Sequence, residues 1–347
     1  MPTPASRIDG ASPIGGARPA DGGSRIDGVD IARGIAVLGM FVAHVLPDGE
    51  TENLADGRSS VLFATLAGVS LGLVTGGASP APRGSRRKLA GSVALRGIAL
   101  ILLGLFLWTL DSGIAIILDY YGVFFLVLLP VLFAPRAVLA PLALACATVG
   151  TAVLAEAPAS PRELIGGDLL LWLPTEWFVT GYYPGLLWLG YVLVGLIVAR
   201  SDLRRRTTQA AMAVGGAAAS AFGYGGAILF DRDASAHSNT LWEGFGAGGL
   251  AIAVIGVLLL ATANGSLPAR ALWPLGSVGR MPLSVYTAQI LVLAVFEGAH
   301  PGGATAAEEW ILLAGLVVGS LVFAAVWRVF LGKGPLERAM SAVSGLA

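Results

Sequence analysis

The chain has 347 residues, of which 55% are hydrophobic and 13% charged, with zero formal net charge and a mean hydropathy of +0.77. That charge content is about half of what a soluble domain carries, which excludes an ordinary soluble globule. The zero balance says nothing about partners, and a single cysteine, Cys146, excludes an internal disulfide.

Residues 1–28 read as a disordered cytoplasmic tail. They are rich in Gly, Pro, Ser and Asp, and Ser6-Arg7-Ile8-Asp9-Gly10 recurs as Ser24-Arg25-Ile26-Asp27-Gly28 with no apolar content to fold around. Without the apolar core of a cleaved signal, the first helix is expected to direct insertion. From residue 29 to 340 the chain reads as one all-α membrane domain, followed by a short cytoplasmic tail at 341–347. Ten spans are predicted, at 31–47, 59–76, 89–110, 113–133, 136–155, 182–200, 208–230, 245–263, 280–297 and 309–330. The apolar blocks have the roughly 20-residue length that a bilayer core demands. With both termini inside, all of the 22 Lys and Arg except Arg58, Arg162 and Arg232 fall on the cytoplasmic side, as the positive-inside rule requires. The expected location is therefore a plasma or inner membrane, with the lipid bilayer as a partner. The longest outer connection, 156–181, holds Trp172, Trp177 and Phe178 beside Pro174. It is expected either to cover a cavity mouth or to enter the membrane as a short re-entrant helix.

The first span begins Asp30-Ile-Ala-Arg33 and ends at His44. Ionisable groups in an apolar helix are expensive and mark functional paths. Arg33 and His44 stand about 16 Å apart along a helix, a cation near one face and a proton-transfer group toward the other. The competing structural readings are an ion pair of Arg33 with Asp30, three residues back, and a polar contact between helices at His44. Arg96 and Arg280 also sit within or at the start of apolar runs and suit an anionic ligand arriving from the cytoplasm. On the outer side lie Asp56, Arg58, Asp119, Tyr120, His237 and Gln289, candidates for an acceptor site. Asp56 doubles as a helix cap and Arg58 as an interfacial anchor, whereas Asp119 interrupts an apolar run and must be paired or hydrated. His300, beside Pro301, reads as a loop residue. No spaced His/Cys/carboxylate cluster suggests a metal, and no nucleotide, hydrolase or nucleic-acid signature is present.

Arg33 and His44, with ten residues between them, resemble the Arg-x10-His motif of transmembrane acyltransferases. The closer resemblance is to the heparan-α-glucosaminide N-acetyltransferase-like branch and a bacterial sister family of uncharacterised membrane proteins. Seven patches carry it in order. They are Arg25 to Gly39, Asp56 to Ser60 with the following Leu66 to Leu71, Ile117-Leu-Asp-Tyr-Tyr-Gly122, Tyr182 to Trp188, His237 to Glu243, Gly279 to Thr287, and Gly334-Pro-Leu-Glu337. The resemblance implies an acyltransferase that moves an acyl group, acetyl foremost, from cytoplasmic acyl-coenzyme A to a hydroxyl or amine of an extracytoplasmic glycan or small polar acceptor. His44 would be general base or acyl-carrying nucleophile, with Asp56 holding its ring. Arg33 would orient the donor or stabilise charge on its carbonyl. Arg96 and Arg280 would meet the coenzyme's phosphates. The large lumenal domain of the animal enzymes is missing, so heparan is not carried over. Two other readings stay open, a carrier of small polar solutes and a non-catalytic membrane protein of the same fold, and homodimerisation is left open as well.

Overall fold

The computed structural model describes residues 25–46, 54–158, 160, 162, 165 and 168–345. Most of the predicted N-terminal tail, 1–24, and the last two residues of the C-terminal one, 346–347, lie outside the described residues. Among the described residues every regular element is a helix, as expected of a chain that must satisfy its backbone internally against lipid.

Helix α1 (Asp27–Val45) carries Asp27 and Asp30 in its first turn, where the helix dipole favours acids. The helix therefore starts inside the segment assigned to the tail. Next come α2 (Arg58–Val74) and α3 (Arg83–Trp108). The predicted span 113–133 is helical mainly over α4 (Leu118–Val127). Asp111 and Gly113, with φ of 50° and 73°, hold the chain irregular before it, and Pro130 sits in a 3-10 turn after it. Helix α5 (Arg136–Ala155) contains Pro141 and a wide π turn at Cys146–Gly150. The long outer connection is a bent helical element. Helix α6 (Leu169–Thr175) runs through a π turn at Glu176–Thr180, and Leu170–Thr180 meets α7 (Gly185–Ala199) at 61°.

Helices α8 (Arg206–Leu229) and α9 (Leu241–Ala261) form the most extensive antiparallel pair. The predicted loop 264–279 instead holds two short helices, α10 (Leu267–Ala271) and α11 (Trp273–Arg280). Arg280 thus ends α11, and Pro282 opens α12 (Pro282–Ala299) in the position where a missing N–H is harmless. Helix α13 (Ala306–Phe330) starts on a Thr305/Glu308 capping box. The last helix, α14 (Pro335–Ser344), absorbs most of the predicted C-terminal tail and stops at left-handed Gly345.

Seven helices (α1, α3, α5, α8, α9, α12 and α13) are long and apolar enough to cross a membrane, and the bent α6–α7 pair makes an eighth if it counts as one span. Helices α2 and α4 fall on predicted spans, but their 17 and 10 residues are shorter than the roughly 20 that a bilayer core needs. Large apolar side chains face outward, Ile228 at 84% exposure and Phe330 at 79% among them, a surface that only lipid would cover at low cost. The chain is a multi-pass helical membrane protein. Glycines bring its central helices close together. Gly34 of α1 lies on the Leu275 carbonyl and Gly279 of α11 on the Asp30 carbonyl, leaving no room for a methyl at either position. This contact seats Arg33 beside the end of α11.

Candidate functional site

At the Arg33 end of α1, charges concentrate around Asp30, which is only 6% exposed. Arg33 donates to Asp30 Oδ1 at 3.1 Å, to the Gly279 carbonyl at 2.8 Å and to Ser70 Oγ at 2.9 Å. Arg280 donates to Asp30 Oδ2 at 3.0 Å and to Asp27 at 3.3 Å. The pairing of Arg33 with Asp30 is present, and both arginines also border a cavity of about 440 Å3. The cavity's ionisable wall consists of Arg25, Arg33, Arg96, Arg280 and Lys333 against one acid, Glu337. Glu337 is already engaged, since its carboxylate accepts from the Leu283 and Ser284 N–H groups and caps α12. Arg96 makes no ion pair among the described residues, and its Nε is buried without a hydrogen-bond partner. The rest of the wall is apolar and aromatic, with Phe63, Leu100, Tyr121, Phe125 and Tyr286. Such a cavity suits a polyanion attached to an apolar arm.

His44 stands at the opposite end of α1, and its Nδ1 lies 3.0 Å from Gln289 Nε2 on α12. Gln289 is buried, and its Oε1 has no hydrogen-bond partner. The group that fixes the ring is thus an amide, where the carboxylate of Asp56 was expected. The backbone carbonyl of Asp56 accepts from the Arg58 guanidinium at 3.2 Å, and Arg58 also lies 5.2 Å over the Tyr224 ring. The Arg33 cavity does not include His44. Its wall contains Tyr286, and Gln289 follows one turn later on the same helix.

Facing this end is a cluster built on Glu243, itself buried. Its carboxylate accepts from the His237 N–H at 2.8 Å and the Asn239 N–H at 2.7 Å, holding both residues in the left-handed region at φ of 58° and 54°. The His237 ring then stacks on Trp188, 5.7 Å away at 9°, and touches Tyr182 at 4.1 Å. His237 is within electrostatic range of His44. Asp119, fully buried, accepts from Trp177 Nε1 at 2.7 Å, and Tyr120 donates to Glu176 at 3.5 Å. Both bonds come from the bent α6 element. It also walls a second polar cavity of about 460 Å3 with Trp108, Asp111, Tyr120, Glu176 and Tyr182.

Residues 25–226 match the heparan-alpha-glucosaminide N-acetyltransferase catalytic family, which is more than half of the chain. The chain belongs to that family. Residues 177–345 also match the family described as Protein of unknown function (DUF418). No curated protein matches the chain. The acetyltransferase match contains Arg33, His44, Arg96 and Asp119, whereas His237, Arg280 and Gln289 lie in the second match alone. Each end of α1 joins the two matched segments, through Asp30–Arg280 at one end and His44–Gln289 at the other.

Of the residues named from the sequence, Arg33, Arg96 and Arg280 gather at one end of α1, and Gln289 meets His44 at the other. Ser70, Glu176 and Glu243 were not singled out, and Trp177 was read only as part of a segment covering a cavity mouth or re-entering the membrane. Glu243 was the most accessible of these, because Thr240-x-x-Glu243 has the form of a capping box. Ser70 carries no such signal, since a serine within an apolar helix is common. No group of three or more metal-ligating side chains is found among the described residues.

Proposed function

We propose that this membrane acetyltransferase-like protein transfers an acyl group, acetyl foremost, from cytoplasmic acyl-coenzyme A to a hydroxyl or amine of an extracytoplasmic glycan or small polar acceptor. The observation that carries the proposal is the cavity of about 440 Å3 with five cationic side chains and one capped acid. Arg25, Arg96, Arg280 and Lys333 hold the coenzyme's phosphates there, and the aromatic wall takes the slender thioester arm. Arg33 belongs to this binding set. Its bonds face Asp30 and Gly279, and about 16 Å of helix keeps it away from a carbonyl held at His44.

In this reading His44 takes the proton from the acceptor as its oxygen or nitrogen attacks the thioester carbon, then returns it to the departing sulfur as the carbon–sulfur bond breaks. For Nε2 to act as the base, Nδ1 must carry the ring proton and donate it. The serving orientation of Gln289 therefore places Oε1 toward Nδ1–H, which also satisfies the oxygen now without a partner. The donor arm reaches this point past Tyr121 and Tyr286. The acceptor approaches from the side of His237 and the α6 element, in a plasma or inner membrane whose cytoplasmic face meets Arg33.

The test is binding of acetyl-coenzyme A to the purified protein in nanodiscs, together with release of free thiol from it. Saturable binding and slow hydrolysis that disappears in His44→Ala support the assignment. A wild-type protein that neither binds nor hydrolyses the thioester would refute it.

A further inference from the structure

A groove of about 690 Å3, larger than the donor cavity, lies between α5 and α8 and is floored by α7 and α9. The gap is built into both walls. Within α5, Pro141 removes a backbone donor and the π turn at Cys146–Gly150 widens the helix, with Ala143 and Ala147 lining the groove. Across from them Ala211, Gly215 and Ala219 recur every four residues, and a Cβ on Gly215 would meet nothing within 4 Å.

Polar groups gather at one end of this groove, where Arg136, Ser201, Thr207 and Thr208 stand. No acid lines any part of it. Arg136 is exposed and makes no ion pair or hydrogen bond among the described residues. From Thr207 to Ala219 the apolar wall runs about 18 Å, close to one leaflet of a bilayer core about 30 Å thick.

An apolar trough one leaflet long with a single cationic end complements an amphiphile with one anionic head. We propose that this groove binds an anionic phospholipid. Its phosphate sits on Arg136 and the Thr207 and Thr208 hydroxyls, and an acyl chain lies along Gly215. A second copy of the chain fits less well, because a twofold partner would present another concave, cationic face with no acid to match it.

The experiment incubates the full-length detergent-solubilised protein with phosphatidylglycerol or phosphatidylcholine and reads bound lipid by native mass spectrometry. Phosphatidylglycerol is expected to be retained about fivefold better, the preference that one surface arginine confers. Arg136→Gln should erase that preference, and Gly215→Leu, which grows into open space, should expel the lipid while the protein stays monodisperse. Equal retention of both lipids, an unchanged preference in Arg136→Gln, or lipid retained in Gly215→Leu would overturn the proposal. So would a Gly215→Leu variant that converts a dimer to a monomer, which would identify the occupant as a second copy. Should Gly215→Leu aggregate, Arg136→Gln alone decides, since Arg136 contributes no internal bond.

Discussion

The two ends of α1 are built on opposite principles. At the Arg33 end charge is redundant: two guanidinium groups share Asp30, and the cavity still holds cations beyond its one acid. At the His44 end a single imidazole meets a single amide, and the nearby carboxylate of Glu243 is committed to holding a loop. A binding surface sums many contacts and tolerates the loss of one. A proton-transfer site depends on one atom in one place, so under the proposed function substitutions at the two ends should fail in different ways.

The sharpest separation comes from His44→Ala. Transfer should fall by about a hundredfold to ten-thousandfold, with acetyl-coenzyme A affinity unchanged in calorimetry. A matching loss of affinity would merge the two ends into one site. Arg96→Ala should act in the complementary manner, raising the donor KM by about tenfold or more at constant kcat. Its thermal stability should be retained, because Arg96 gives up no internal ion pair; a lower Tm with normal KM would make it a structural residue. Gln289→Ala should lower kcat by about tenfold without affecting donor binding, whereas Gln289→Asn, tested in the same assay, should recover little because its amide falls short of the ring. Smallest in activity but visible in stability is Glu243→Gln. Replacing a buried carboxylate that accepts two backbone N–H bonds should cost about 1–3 kcal/mol and appear as a lower Tm. It should raise the acceptor KM and leave the donor KM alone, and an effect on the donor alone would break the division between the ends.

Legibility in the sequence followed the cost of each feature. Apolar blocks separated by charged turns marked the helices, because lipid penalises any other pattern. Arg33, Arg96, Asp119 and His44 stood out because ionisable groups in such blocks are rare. Boundaries failed where helix and loop share a composition. The 264–279 segment reads as a basic, proline-containing loop, yet it folds into α10 and α11 and supplies the carbonyl that holds Arg33. The 113–133 block reads as one span, but backbone geometry at Asp111 and Gly113 shortens it. At the candidate site, the residue types and their ends were legible and the pairings were not. The resemblance offered Asp56 as the group holding the His44 ring, whereas Gln289, 245 positions away, meets it.

The sequence by itself determined that this chain is helical, membrane-embedded and charged unevenly along its first helix, because each property follows from local composition and period. It also determined, through motif order, the family to which the chain belongs. Only the tertiary structure decided which partners these residues have: Asp30 between two arginines, Gln289 on His44, and Glu243 beneath the His237 loop. Those contacts join segments more than 200 residues apart in two of the three cases, and they depend on how closely α1 can approach α11 and α12. That approach is set by the absence of side chains at Gly34 and Gly279, and its consequence appears only once the helices are packed.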